Sequence, residues 1–158
     1  YKEAVTQFTQ AASTAEAKGK KEDVAEAYRG LGMAYYELKE YDKVLESMQK
    51  ALDDGVQRTA ELYNIMGVSA MQQEDYESAL KYFDEGISYA QSKDAVNASK
   101  SKKEVDYSDL IQEMRYNQVV CYEKQENWEE AKNAANEYIA DYPNDKDIEK
   151  EVEFLETR

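Results

Sequence analysis

Two octets in this chain repeat each other 35 residues apart, and few folds accommodate such a pattern. Tyr28-Arg29-Gly30-Leu31-Gly32-Met33-Ala34-Tyr35 is answered by Tyr63-Asn64-Ile65-Met66-Gly67-Val68-Ser69-Ala70. The same offset carries Tyr41 onto Tyr76, Val44 onto Ala79, Met48 onto Phe83 and Ala51 onto Gly86. A step of 52 then carries Gly67 onto Val119, Tyr76 onto Trp128 and Ala79 onto Ala131, and a backward step of 40 carries Tyr41, Val44, Met48 and Ala51 onto Tyr1, Ala4, Phe8 and Ala11. Large and small residues that keep one phase over four segments specify a supersecondary unit used repeatedly, each copy burying its apolar face against the next.

Within a segment the period is helical. Tyr116, Val119, Val120 and Tyr122 fall on one side of Glu126-Asn127. Trp128, Ala131, Ala135, Tyr138 and Ile139 fall on the other, at steps of three and four. Pro143 ends the second run, since it lacks the N–H a helix needs and disfavours helical geometry just before itself. Gly32 and Gly67 each lower helix propensity by roughly 1 kcal/mol relative to Ala, so a neighbouring helix passing close is the expected reason for them. Ala51, Ala79 and Ala131 serve the same close approach, with Tyr35, Phe83 and Tyr122 filling wider gaps; Val119 in the glycine slot predicts a wider contact in the last pair. With only one Pro and 34% charged residues, the fold class is all-α.

These residues resemble the tetratricopeptide repeat, a helix–turn–helix unit of about 34 residues. The second segment supplies Tyr28, Leu31, Gly32, Tyr35, Val44, Met48 and Ala51, and the third Tyr63, Met66, Gly67, Ala70, Ala79, Phe83 and Gly86. The fourth supplies Tyr122, Trp128, Ala131 and Pro143 but departs at Arg115, Gln118, Val119 and Ala135. The resemblance implies a right-handed α-solenoid of antiparallel helix pairs, about eight helices in all. The expected division is a lone second helix of a truncated repeat over 1–19, repeats over 22–55, 57–91 and 107–143, an insertion over 92–106, and a capping helix over 145–158. Gly55 suits the left-handed end of a helix. Asn97-Ala98-Ser99 in the insertion has the form of a glycosylation acceptor. Tyr1 falls partway through a repeat, which marks the chain as a trimmed piece of something longer, and leaves Val5, Phe8 and Ala12 of the first helix without a partner.

The formal charge is −14, from 34 acidic and 20 basic residues. Such a surface repels phosphate backbones and anionic headgroups, so nucleic acid is not an expected partner. Apolar runs of transmembrane length are absent from the sequence, so membrane insertion by this segment is not expected either. Histidine is absent, and Cys121 lies mid-helix among Val119, Val120 and Tyr122, the setting of a small buried hydrophobe. Asp145, Asp147, Glu149 and Glu151 alternate as in a calcium loop, yet Lys150 stands where the sharp turn needs Gly. Neither catalysis, a cofactor nor a metal is expected. Acidic repeats of this kind resemble pieces of bacterial surface lipoproteins as well as cytoplasmic adaptors, so the sequence fixes no compartment.

In the family the first helix of each pair faces a concave groove. Carried over by phase, the groove residues are Arg29, Met33 and Tyr36, then Asn64, Val68 and Met71, then Tyr116, Val120 and Glu123. Tyrosine, Met and Val flanked by amides and charges suit an extended peptide or a helix. Some members clamp a chaperone's C-terminal carboxylate; here Arg29 falls at one clamp position, but Met33 and Ile65 replace the Asn residues and Glu26, Glu61 and Glu113 add repulsion. The expected role is a non-catalytic scaffold for a protein or peptide segment. The alternative is a self-assembly module that forms a homodimer.

Overall fold

The computed structural model describes residues 1–92 and 106–158. The expected insertion, with Asn97-Ala98-Ser99, lies outside the described residues except at its margins. The described residues form eight helices and no strand, so the fold is all-α and tetratricopeptide-repeat-like. They fall into two compact units, Tyr1–Arg58 and Thr59–Arg158.

The first unit contains α1 (Lys2–Ala17), α2 (Lys21–Glu37) and α3 (Tyr41–Asp53), with α2 packed against both others. Its core is made of small and medium side chains, including Ala12, Ala25, Leu31, Val44, Met48 and Ala51. Helix α1 is therefore not wholly without a partner. Ala12 is buried, and the Phe8 ring lies so close over Gly30 that a Cβ there would overlap it. The expectation of a bare first helix is corrected for those two residues: a notch at Gly30 in the following helix receives Phe8, which stays 37% exposed.

The second unit contains α4 (Ala60–Gln72), α5 (Tyr76–Ala90), α6 (Ser108–Lys124), α7 (Trp128–Asp141) and α8 (Lys146–Glu156). Each packs against the next one described, and α4 also touches α6. First helices thus lie side by side in one layer, with α5 and α7 behind them. The close approach expected at the glycines is present, but large side chains make it. Phe83 of α5 presses onto Gly67 of α4, as Met48 of α3 presses onto Gly32 of α2. Gly86 of α5 receives Met114 of α6, whose Sδ would stand 2.6 Å from an added Cβ. Val119, which stands in the glycine slot of α6, is fully buried. A terminal cluster of Val119, Ala131, Ala135, Tyr138, Ile148 and Leu155 joins α6, α7 and α8.

Helices α1 to α4 and α6 all end in the same way. A residue at positive φ follows the helix: Gly19, Lys39, Gly55, Glu74 and Glu126. The amide after it then bonds back five residues, as in Lys20 N–H to Ala15, Glu40 to Tyr35, Val56 to Ala51, Asp75 to Ala70 and Asn127 to Tyr122, at 2.9–3.0 Å. This is the Schellman closure, which satisfies carbonyls that a helix end leaves open. It turns the chain sharply, so three residues suffice to join α1 to α2, α2 to α3, α4 to α5 and α6 to α7.

Candidate functional site

In the second unit, Asn64, Val68 and Met71 stand at steps of four and three on α4, and Tyr116, Val120 and Glu123 at the same steps on α6. All six are half-buried. The two stripes are tied by Asn64, whose Nδ2 donates to Glu113 Oε1 at 3.2 Å, while its own Oδ1 is buried without a donor. Val68, Met71 and Val120 thus leave part of their apolar surface open in the layer of first helices.

Tyr116 and Glu123 are turned towards α8. The Tyr116 ring packs on the terminal cluster and meets Tyr138 edge-on, with centroids 6.0 Å apart. Burial raises its hydroxyl pKa, and the carboxylates of Glu151, Asp147, Glu123 and Asp145 add to the effect. A cleft of about 340 Å³ opens beside it, lined by Asp109, Gln112, Glu113, Tyr116, Tyr138, Asp145 and Asp147. Its floor is a hydrogen-bonded cluster. The Tyr138 hydroxyl donates to Asp145 Oδ2 at 2.6 Å, and Gln112 Nε2 donates to that hydroxyl at 2.9 Å and to Asp145 Oδ2 at 3.2 Å. Burial, then the Asp145 acceptor, pushes the Tyr138 hydroxyl up to about 12. The same hydroxyl, followed by the backbone N–H of Asp147, holds Asp145 below the usual carboxylate range.

Arg29, Met33 and Tyr36 belong to the first unit. Arg29 is exposed and forms an ion pair with Glu26 at 2.7 Å. Met33 is 48% exposed, a high value for a large apolar side chain. Tyr36 is half-buried and edge-on to Tyr41, with centroids 6.2 Å apart. Lys50 joins the three helices of this unit, donating to Tyr28 Oη at 2.7 Å and to Glu16 Oε1 at 2.9 Å. Those two acceptors, Tyr28 first, raise the Lys50 pKa.

Sequence reasoning missed Asp109, Gln112, Asp145 and Asp147 as cleft residues. The signal for Asp145 was available: it follows Pro143 just before an apolar-periodic run, the place of a helix cap, and its Oδ1 does accept from Asp147 N. Cys121 is buried, and burial pushes its thiol up to about 12, which suits packing and not nucleophilic chemistry. Among the described residues, no group of three or more Cys, Asp or Glu is placed to hold a metal ion, and no helix is long and apolar enough to cross a membrane.

Residues 25–53 match the tetratricopeptide repeat, and residues 113–145 match it in a second form. The first stretch covers most of α2 and α3, and the second covers most of α6 with α7. Each unit thus carries a segment similar to this repeat, and between them the α4–α5 pair has the same glycine notch. Repeats of this kind mediate protein–protein interaction. No curated protein matches the chain.

Proposed function

We propose that the chain is a non-catalytic scaffold whose second unit receives a peptide or protein segment along the face of α4 and α6. The observation that carries this reading is the half-open apolar stripe of Val68, Met71 and Val120, bordered by Asn64, Glu113 and Tyr116. Apolar side chains supply adaptable contact, and the amide and carboxylates orient the segment. Arg29, Met33 and Tyr36 offer a similar, smaller face on the first unit. Because the residues around Tyr116 are acidic, a segment that carries Lys or Arg is favoured over an acidic one.

The test begins with peptides selected from a displayed random library on the wild-type chain. Binding of the selected peptides is then measured on Val68→Glu and Val120→Glu. At least tenfold weaker binding is expected, with an unchanged far-UV spectrum. Equal binding by both variants would overturn the assignment of the face.

A second reading is self-assembly through α1, favoured by the exposure of Tyr1 (68%) and Phe8 (37%). Sedimentation at two concentrations separates the two, because a dimer that persists on dilution supports assembly.

A further inference from the structure

In the first unit a cavity of about 350 Å³ opens among α1, α2 and α3. Its volume falls at the low end of the range of about 300–1,000 Å³ that small-molecule sites occupy. Arg29, Met33 and Tyr36 do not line it, so it is separate from the residues assigned to peptide binding above.

Ser47 of α3 sets this cavity apart. It lines the cavity, it is only 6% exposed, and its hydroxyl has no hydrogen-bond partner among the described residues. Other helical hydroxyls do not stay open in this way. Thr9 and Ser13 of α1 donate to the carbonyls four residues back at 2.8 and 3.1 Å, and Ser69 of α4 does so at 2.7 Å. Buried polar groups are nearly always bonded, so an open one in a cavity wall marks a place for a ligand atom. The Tyr35 hydroxyl, in the same wall, also has no partner among the described residues.

The remaining walls restrict what fits. Lys43 and Lys50 flank Ser47 at steps of four and three on α3, and Glu40 and Glu16 already neutralise them. Glu46 has no ion pair among the described residues, so it repels an anion, while the two ammonium groups repel a cation. A flat aromatic ring finds its stacking places taken: Lys50 Nζ lies 4.1 Å from the Tyr28 centroid and Lys43 Nζ 5.2 Å from that of Tyr35. What fits is a neutral molecule that both gives and takes hydrogen bonds. Ser47, Tyr35 and the ammonium groups have N–H or O–H to donate, and the oxygens of Thr9, Ser13 and Glu46 accept. Buried Leu31 adds an apolar floor for C–H groups.

We propose that this cavity is a saccharide site, in which the Ser47 hydroxyl bonds a sugar hydroxyl between Lys43 and Lys50. Sugar hydroxyls donate and accept alike, which matches a wall of mixed donors and acceptors without placing a charge on the ligand. The site does not depend on the peptide face of the second unit, and either can fail alone.

Amide chemical shifts of the isotope-labelled whole chain test it, on titration with the methyl glycosides of glucose, galactose, mannose and N-acetylglucosamine. Saturable shifts on α3 around Ser47 are expected for at least one glycoside, with an affinity that salt leaves unchanged. Ser47→Ala should weaken that binding at least about tenfold, and Tyr35→Phe should weaken it as well. Without ligand, Ser47→Ala should melt at or above the wild-type temperature, because it removes a buried hydroxyl that has no bond. Inorganic phosphate and glutamine, titrated in parallel, stand for an anion and a zwitterion. The proposal is overturned if no glycoside shifts α3, if only phosphate or glutamine does, or if Ser47→Ala binds as wild type. A clear fall in the melting temperature of Ser47→Ala overturns it too, since the hydroxyl would then be satisfied within the protein.

Discussion

The α2–α3 pair of the first unit and the α4–α5 pair of the second are built on one plan, yet they fill their notches differently. Gly32 faces Met48, whose Cε, Cγ and Sδ would lie 2.8–2.9 Å from an added Cβ. Gly67 faces the ring of Phe83, which would overlap an added Cβ at its edge. Both fillers are buried, Met48 at 1% exposure and Phe83 at 0%. The difference lies in compliance. An unbranched thioether chain can swing aside, whereas a phenyl ring in a close-packed interior moves only if its neighbours do. A repeat can therefore preserve a shape while changing how well that shape tolerates a mistake.

Alanine at the two glycines should expose this difference most strongly. Gly67→Ala is expected to destabilise by about 2 kcal/mol, through overpacking against the ring. Gly32→Ala should fall within about 0.5 kcal/mol of wild type, because the gain in helix propensity of roughly 1 kcal/mol offsets the displacement of Met48. Urea unfolding followed by far-UV circular dichroism measures both, and equal losses would show that the filler does not matter.

The comparison sharpens if the first unit's filler is placed in the second. In a Phe83→Met background, the added cost of Gly67→Ala should drop by about 1 kcal/mol, a coupling of the size expected for touching residues. Additive effects in that cycle would locate the strain elsewhere.

A smaller effect should not distinguish the units at all. Lys39 and Glu74 hold positive φ at equivalent helix ends, where glycine carries no steric penalty. Lys39→Gly and Glu74→Gly are each expected to stabilise by about 0.5 kcal/mol, after the greater freedom of glycine in the unfolded chain is subtracted. Unequal shifts in the urea midpoint would mean that the two turns are not equivalent.

The helices and their phase were legible because apolar spacing and repeated small residues are local signals. Ala51, Ala79 and Ala131 are all buried, as that spacing requires. The notches at Gly30 and Gly86 were not legible as such. Their fillers, Phe8 and Met114, come from helices other than the pair partner, and the repeat phase says nothing about that register. The positive φ of Lys39, Glu74 and Glu126 was hidden for a different reason: charged residues give no turn signal, and the closure depends on backbone hydrogen bonds. Of the candidate face, α4 and α6 do stand side by side, but the direction of Tyr116 and Glu123 towards α8 depends on how the last helix docks. One apolar stripe in its sequence does not specify that docking.

The placement of Cys121 and Trp128 has a practical consequence. The chain has one cysteine and one tryptophan, and both lie in the second unit, so the first unit has no thiol or indole of its own. Indole fluorescence follows the surroundings of a ring wedged near Phe154, and a thiol reagent reaches Cys121 only when that interior opens. The molecule therefore carries an indole and a thiol in one half and neither in the other, and a denaturation curve recorded through either reads the surroundings of Thr59–Arg158 directly.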